Sequence, residues 1–178
     1  MISEQIEEDA RRLDDIVAEL NREANRHKAA RDDFHQKASV LADRRDKLQK
    51  KARALSAEAA VYKQQRDECN LDAKEARRSR DEWNDRVARM RASGGLGDIG
   101  EGKSQANSFH QKAIKASEQG NMAHEKMHQL YQDADKLRED AQVCHEQYLD
   151  LKKAADLEHT KFIETIRKIE KIRDELPE

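Results

Sequence analysis

The chain has 178 residues, of which 40% are charged and only 4% aromatic, with a mean hydropathy of -1.14. That is too polar for the core of an ordinary globular enzyme of this length. The net charge of -2 names no partner, although its distribution is uneven. Residues 1–21 hold two Arg and seven acids, residues 22–91 hold twenty Lys or Arg and thirteen acids, and residues 92–178 hold thirteen and seventeen. The basic excess therefore lies in the first half, between two acidic regions.

The N-terminal stretch Met1-Ile-Ser-Glu-Gln-Ile-Glu-Glu8 has neither the basic nor the apolar region of a signal peptide. No run approaches the ~18 apolar residues of a membrane span. A soluble, cytoplasmic protein without a membrane partner is expected. The two cysteines, Cys69 and Cys144, are too few for a disulfide framework.

From Ile6 to Met90 one heptad register runs unbroken. Its d row includes Ile6, Leu13, Leu20, His27, Phe34, Leu41, Leu48, Leu55, Tyr62, Cys69, Ala76, Trp83 and Met90. Half of its a row is alanine, with Val17 and Val87, and it is interrupted by Arg31, Arg45, Arg66 and Arg80, each followed by Asp and spaced by 14, 21 and 14 residues. A 3.5-residue repeat this long predicts a coiled-coil helix over residues 1–92. Arg at a can lay its stem along the seam and send its head to the rim, which lowers stability but specifies alignment.

Ser93–Ser104 carries five of the six glycines. Glycine is costly inside helices and permissive in turns, so residues 93–107 are expected to form the tip of a hairpin. The returning helix could start at Ser104 or at Ser108; it is expected over 108–176, with Ser108 and Gln111 as a capping box. Its seam holds Phe109, Ala113, Ala116, Gly120, Ala123, Met127 and so on to Leu176. The fold expected is therefore all-α, a long two-helix antiparallel coiled-coil hairpin with a glycine-rich tip.

Two registers satisfy the heptads near such a tip. One sets Trp83 against Gly120, Tyr62 against Ala141, Leu41 against Phe162 and Arg45 against Glu158. The other, one heptad shorter, sets Ala76 against Gly120. The first alternates large and small residues and fills space better, so it is the expected one. Either leaves residues 1–26 overhanging. Ile6, Leu13, Val17 and Leu20 would then form an unpartnered apolar stripe, a candidate surface for homodimerisation through residues 1–20 or for recruiting a protein.

Two motifs mimic catalytic signatures. Gly97-Asp-Ile-Gly-Glu-Gly-Lys-Ser104 fits the phosphate-loop pattern, yet a helix rather than a strand precedes it, and Asp98 and Glu101 would oppose a phosphate. A nucleotide binder is the weakest alternative. His124-Glu-Lys-Met-His128 fits the zinc-protease pattern, without a third ligand or a cleft. The other histidines look scattered. No enzyme activity, cofactor, metal or small-molecule substrate is expected.

The basic residues are the remaining candidates. Arg44, Lys47, Lys50 and Lys51 form one cluster. Arg77 and Arg78, then Arg86, Arg89 and Arg91, approach the tip, and Lys103 follows it. From Arg86 to Gly97 there is no acid. Helical cations can neutralise phosphates without reading bases.

Arg31-Asp-Asp, Arg66-Asp-Glu and Arg80-Asp-Glu-Trp-Asn, spaced by heptads, resemble the uncharacterised archaeal coiled-coil proteins, some of which carry a phosphoserine phosphatase label. No haloacid-type aspartate motif accompanies them here. The pattern is also weakly similar to the eukaryotic nuclear-segregation and brefeldin-resistance coiled-coil proteins, which associate with polysomes and messenger ribonucleoprotein. The resemblance implies association with a ribosome or an RNA–protein complex, and the basic tip and first helix are where it would act.

Overall fold

The structure, a computed structural model, describes residues 2–94 and 98–175, with side chains over 8–94 and 98–174. It is an all-α antiparallel hairpin in which α1 (Ile2–Ala92) packs against α2 (Ile99–Glu175). Ala, Leu, Glu, Lys, Arg and Gln dominate both helices, all strong helix formers. Pairs one turn apart reinforce them, including Arg12 with Glu8, Lys37 with Asp33 and Arg78 with Glu82. Two compact units result, one from the residues up to Leu48 and from Glu139 onward, the other from Gln49–Arg138.

In the unit Gln49–Arg138, α1 ends conventionally. Ser93 N–H donates to the Arg89 carbonyl at 3.0 Å, and Gly94 N–H to that of Arg91 at 3.4 Å. Gly94 has φ +60°, the left-handed closure that glycine takes without strain. Asp98 then caps α2: its carboxylate accepts from Glu101 N–H at 2.9 Å, and its backbone carbonyl from Gly102 N–H at 3.1 Å. The expected tip over 93–107 and helix start at 108 are thereby corrected. Asp98 supplies an earlier cap than Ser108, so only Ser93–Asp98 joins the helices.

Gly102 is buried in the seam, and a Cβ there would stand 2.6 Å from Val87 Cγ2. Its absent side chain lets Val87 pack against the first turns of α2. Further along, Gly120 lies beside Cys69, with an added Cβ 3.4 Å from that of Cys69. Both expected registers are thereby corrected: Gly120 meets Cys69, not Trp83 or Ala76. The same step sets Tyr62 against Met127 and Leu55 against Ala134. Ala52, Ala59, Ala73, Ala113, Ala123 and Ala134 are all buried, so most layers pair a small residue with a larger, half-buried one.

The other unit keeps the same offset. The Arg31 guanidinium carbon lies 6.0 Å from the Phe162 ring centroid, and that of Arg45 5.9 Å from Tyr148. Ala24, Thr165 and Ile169 are 2–3% exposed; the offset sets Ala24 against Thr165, Leu20 against Ile169 and Val17 against Ile172. Residues 1–26 therefore do not overhang as a whole. The earlier turn brings the end of α2 further along α1, and the seam absorbs Ala24 and half-buries Leu13, Val17 and Leu20. The side chain of Ile6 lies outside the described residues.

Glu158 pairs with His27 rather than with the expected Arg45. It also accepts from Lys161 Nζ at 2.8 Å. These two hydrogen bonds, Lys161 first and His27 second, hold its carboxyl below the usual carboxylate range, against a smaller opposing effect of burial.

Two outcomes follow from these contacts. Gly102→Ala should lower the thermal midpoint, by about 1–3 kcal/mol of stability as for other overpacked sites, and adding Val87→Ala should restore most of it. An unchanged midpoint in Gly102→Ala would show that the approach of Val87 is not tight. A carboxylate with a depressed folded pKa contributes stability above its unfolded value and loses it as pH falls through the folded one. Glu158→Gln should therefore melt lower than the native chain at neutral pH, with the gap narrowing below about pH 5. A gap independent of pH would argue against the paired carboxylate.

Candidate nucleic-acid interface

Helix periodicity decides how the basic residues are displayed. Arg86 and Arg89, three residues apart, share one flank of α1, and both are exposed. Arg86 extends over Trp83, its guanidinium carbon 4.8 Å from the ring centroid, so part of it packs and part faces solvent. Arg89 and Arg91 form the basic last turn of α1, where cations suit the helix dipole.

Arg91 lies on the other flank, where facing residues of the two helices approach. Arg77 Nη2 donates to Ser117 Oγ at 2.8 Å there, and Arg138 Nη2 to Ser56 Oγ at 2.7 Å. Two heptads from the Arg77–Ser117 bridge, the same offset sets Arg91 against Lys103. Both are exposed, and neither forms an ion pair among the described residues. A polar bridge is thus replaced beside the turn by two like charges.

The other predicted cations divide. Arg78 is engaged by Glu82 at 3.2 Å, and Arg77 by Ser117. Lys50 and Lys51 are exposed without an ion pair among the described residues, and so, in the other unit, are Arg44 and Lys47. Arg86, Arg89, Arg91 and Lys103 are therefore the predicted residues gathered at one place, the turn end of the unit Gln49–Arg138.

The phosphate-loop match resolves into a helix start. Asp98–Ser104 forms the cap and first turns of α2, and its own aspartate accepts from the N–H groups of Glu101 and Gly102. In the zinc-protease match the His124 and His128 rings stack 6.4 Å apart, with Met127 buried beside them. No group of three metal-ligating side chains occurs among the described residues, and no described helix is long and apolar enough to cross a membrane. The sequence reading missed the facing of Arg91 and Lys103, because that depends on the register. The histidines outside the zinc-protease match look scattered in the sequence, although His110, His145 and His159 together with His124 repeat the intervals of the Arg-Asp pairs.

Residues 92–178, which comprise the turn and α2, match the model of a family of unknown function, DUF7121. The match covers just under half of the chain, and within it this segment is similar to that family. No curated protein and no solved structure matches the chain.

The like-charge pair has a measurable consequence. Arg91→Glu should turn repulsion of Lys103 into attraction, so its effect on stability should be more favourable in the native chain than in a Lys103→Gln background, by roughly 0.2–1 kcal/mol as for exposed pairs, the helix-dipole cost of the acid being common to both. The gain should shrink in high salt. An equal effect of Arg91→Glu in both backgrounds would mean that the two side chains do not face each other.

Proposed function

We propose that this hairpin binds a ribosome or another RNA–protein particle, without catalysing a reaction, through the cations at its turn. One observation carries the reading. Arg89, Arg91 and Lys103 are exposed and without ion pairs among the described residues, and they gather at the turn, where no acid occurs from Arg86 to Gly97. Unpaired cations held close together gain when a phosphate enters, because counterions are released and the mutual repulsion is relieved. Trp83 is half-buried and already carries the Arg86 guanidinium over its ring, so contact would be with backbone phosphate rather than with bases.

The resemblance to polysome-associated coiled-coil proteins supports the same reading and a cytoplasmic location. Lys50 and Lys51 on the same unit would add phosphate contacts, as would Arg44 and Lys47 on the other. The alternative, an adaptor that dimerises through residues 1–20, has less to stand on, since Leu13, Val17 and Leu20 are drawn into the chain's own seam.

Sedimentation through a gradient at low salt should place the protein with ribosomal or ribonucleoprotein fractions. Arg86→Glu/Arg89→Glu/Arg91→Glu should move it to the top of the gradient. Affinity for isolated RNA should fall steeply with salt in the native chain, and less steeply in the triple variant, by about 0.7–0.9 in the log–log slope per lost phosphate contact. Native protein absent from those fractions at low salt would end the proposal.

A further inference from the structure

Each Arg-Asp pair on α1 is built alike. The aspartate holds its neighbour's Nε at 2.8–2.9 Å and Nη2 at 2.6–2.7 Å, both on one oxygen. That leaves Nη1 directed across the seam. In the unit formed by the chain ends, Arg31 Nη1 lies 3.4 Å from His159 Nδ1, and Arg45 Nη1 3.4 Å from His145 Nδ1. Each histidine stacks on the ring three residues later, Phe162 or Tyr148, that lies under the same guanidinium.

The other unit repeats the arrangement with smaller partners. Arg66 Nη1 reaches Met127 Sδ at 3.8 Å, and three residues before Met127 stands His124. Arg80 lines one groove with His110 and Ala113, again a histidine and the residue three positions later. Along α1 the arginines of the Arg-Asp pairs are separated by 14, 21 and 14 residues, and along α2 four of the five histidines, 110, 124, 145 and 159, are separated by 14, 21 and 14, His128 standing outside the row.

We propose that these matched rows are a register code, which selects this fold-back from the slipped ones that the apolar pattern also permits. Because a and d recur every seven residues, a slip of whole heptads leaves the apolar seam in phase. It does not leave the arginines matched. A one-heptad slip that lengthens the turn brings Ile166, Lys152, Tyr131 and Ser117 to the four arginines, so every histidine is lost and Arg45 meets a like charge. A two-heptad slip returns His159 to Arg45 and His124 to Arg80, but sets Arg31 against Arg173 and Arg66 against Arg138. The uneven middle interval holds this slip to two matches, where equal spacing would have allowed three. Slips in the other direction would have to shorten a turn that already spans only Ser93–Asp98. Each contact is modest, yet a slip forfeits two or four together and adds repulsion in a half-buried site.

Gly120→Cys provides the reporter. A Cβ at Gly120 lies 3.4 Å from that of Cys69, close to the separation of bonded cysteines, so a disulfide between Cys69 and the introduced thiol forms within one chain only in this register. In a glutathione buffer, with bonds mapped by mass spectrometry, Gly120→Cys alone should give this bond nearly completely. Adding Arg31→Leu/Arg45→Leu/Arg66→Leu/Arg80→Leu should keep the chain helical and lower the yield several-fold. Adding instead His110→Ala/His124→Ala/His145→Ala/His159→Ala, which retains every arginine, should lower it in the same direction. Undiminished yield in both backgrounds would overturn the code. So would loss of helix in the leucine variant, which would make the arginine layers a source of stability rather than of selection.

Discussion

Alanine at the seam is the constraint on which the hairpin depends. Burying Ala24, Ala38, Ala52, Ala59, Ala73, Ala113, Ala134, Ala141 and Ala155 lets the backbones approach, so that larger residues on the facing row reach across and are only half covered. Each layer therefore removes little apolar surface from water, and the hydrophobic effect per heptad is small. It is also undiscriminating, since one alanine layer resembles the next. What decides the alignment must come from the exceptions: the glycines that admit Val87 and Cys69, and the arginines that interrupt the alanine row.

Those arginines show how a charge is tolerated at a seam. Their side chains are 23–30% exposed, with the stem lying along the apolar layer and the head at the rim. The adjacent aspartate fixes two of the guanidinium nitrogens on the same helix, so little freedom is lost when the third meets α2. A lysine could not do this, since it lacks the planar fork that serves both partners. The turn obeys the same economy of space: an aspartate cap, a glycine at φ +60° and a buried glycine close it within a few residues, and the cations flanking it are left facing each other.

Much of this was legible in the residues. Heptads from Ile6 to Met90 and from Phe109 onward predicted both helices, and clustered glycines located the turn. The register was not legible from apolar spacing, because large-against-small layering is satisfied at several heptad offsets when alanine fills one row. From that one misplacement followed the supposed overhang of residues 1–26 and the expected Arg45–Glu158 pair. The start of α2 was misread because Asp98–Glu101 and Ser108–Gln111 both look like capping boxes, and nothing local tells which one acts. The signal that could have chosen the register was present all along in the intervals of four histidines, which mean nothing until they are compared, in reverse, with those of the Arg-Asp pairs.

The thin alanine layers also bear on how the molecule responds to temperature. The heat capacity of unfolding rises with the apolar surface exposed and falls with the polar surface exposed. On unfolding, a seam of methyl groups exposes little of the first, while the peptide groups of two long helices expose much of the second. The stability curve of such a chain is shallow and broad, without the pronounced summit of a globular domain, and it declines slowly toward both heat and cold. A structure assembled from many weak, similar layers draws its stability from their number, and that stability varies little with temperature.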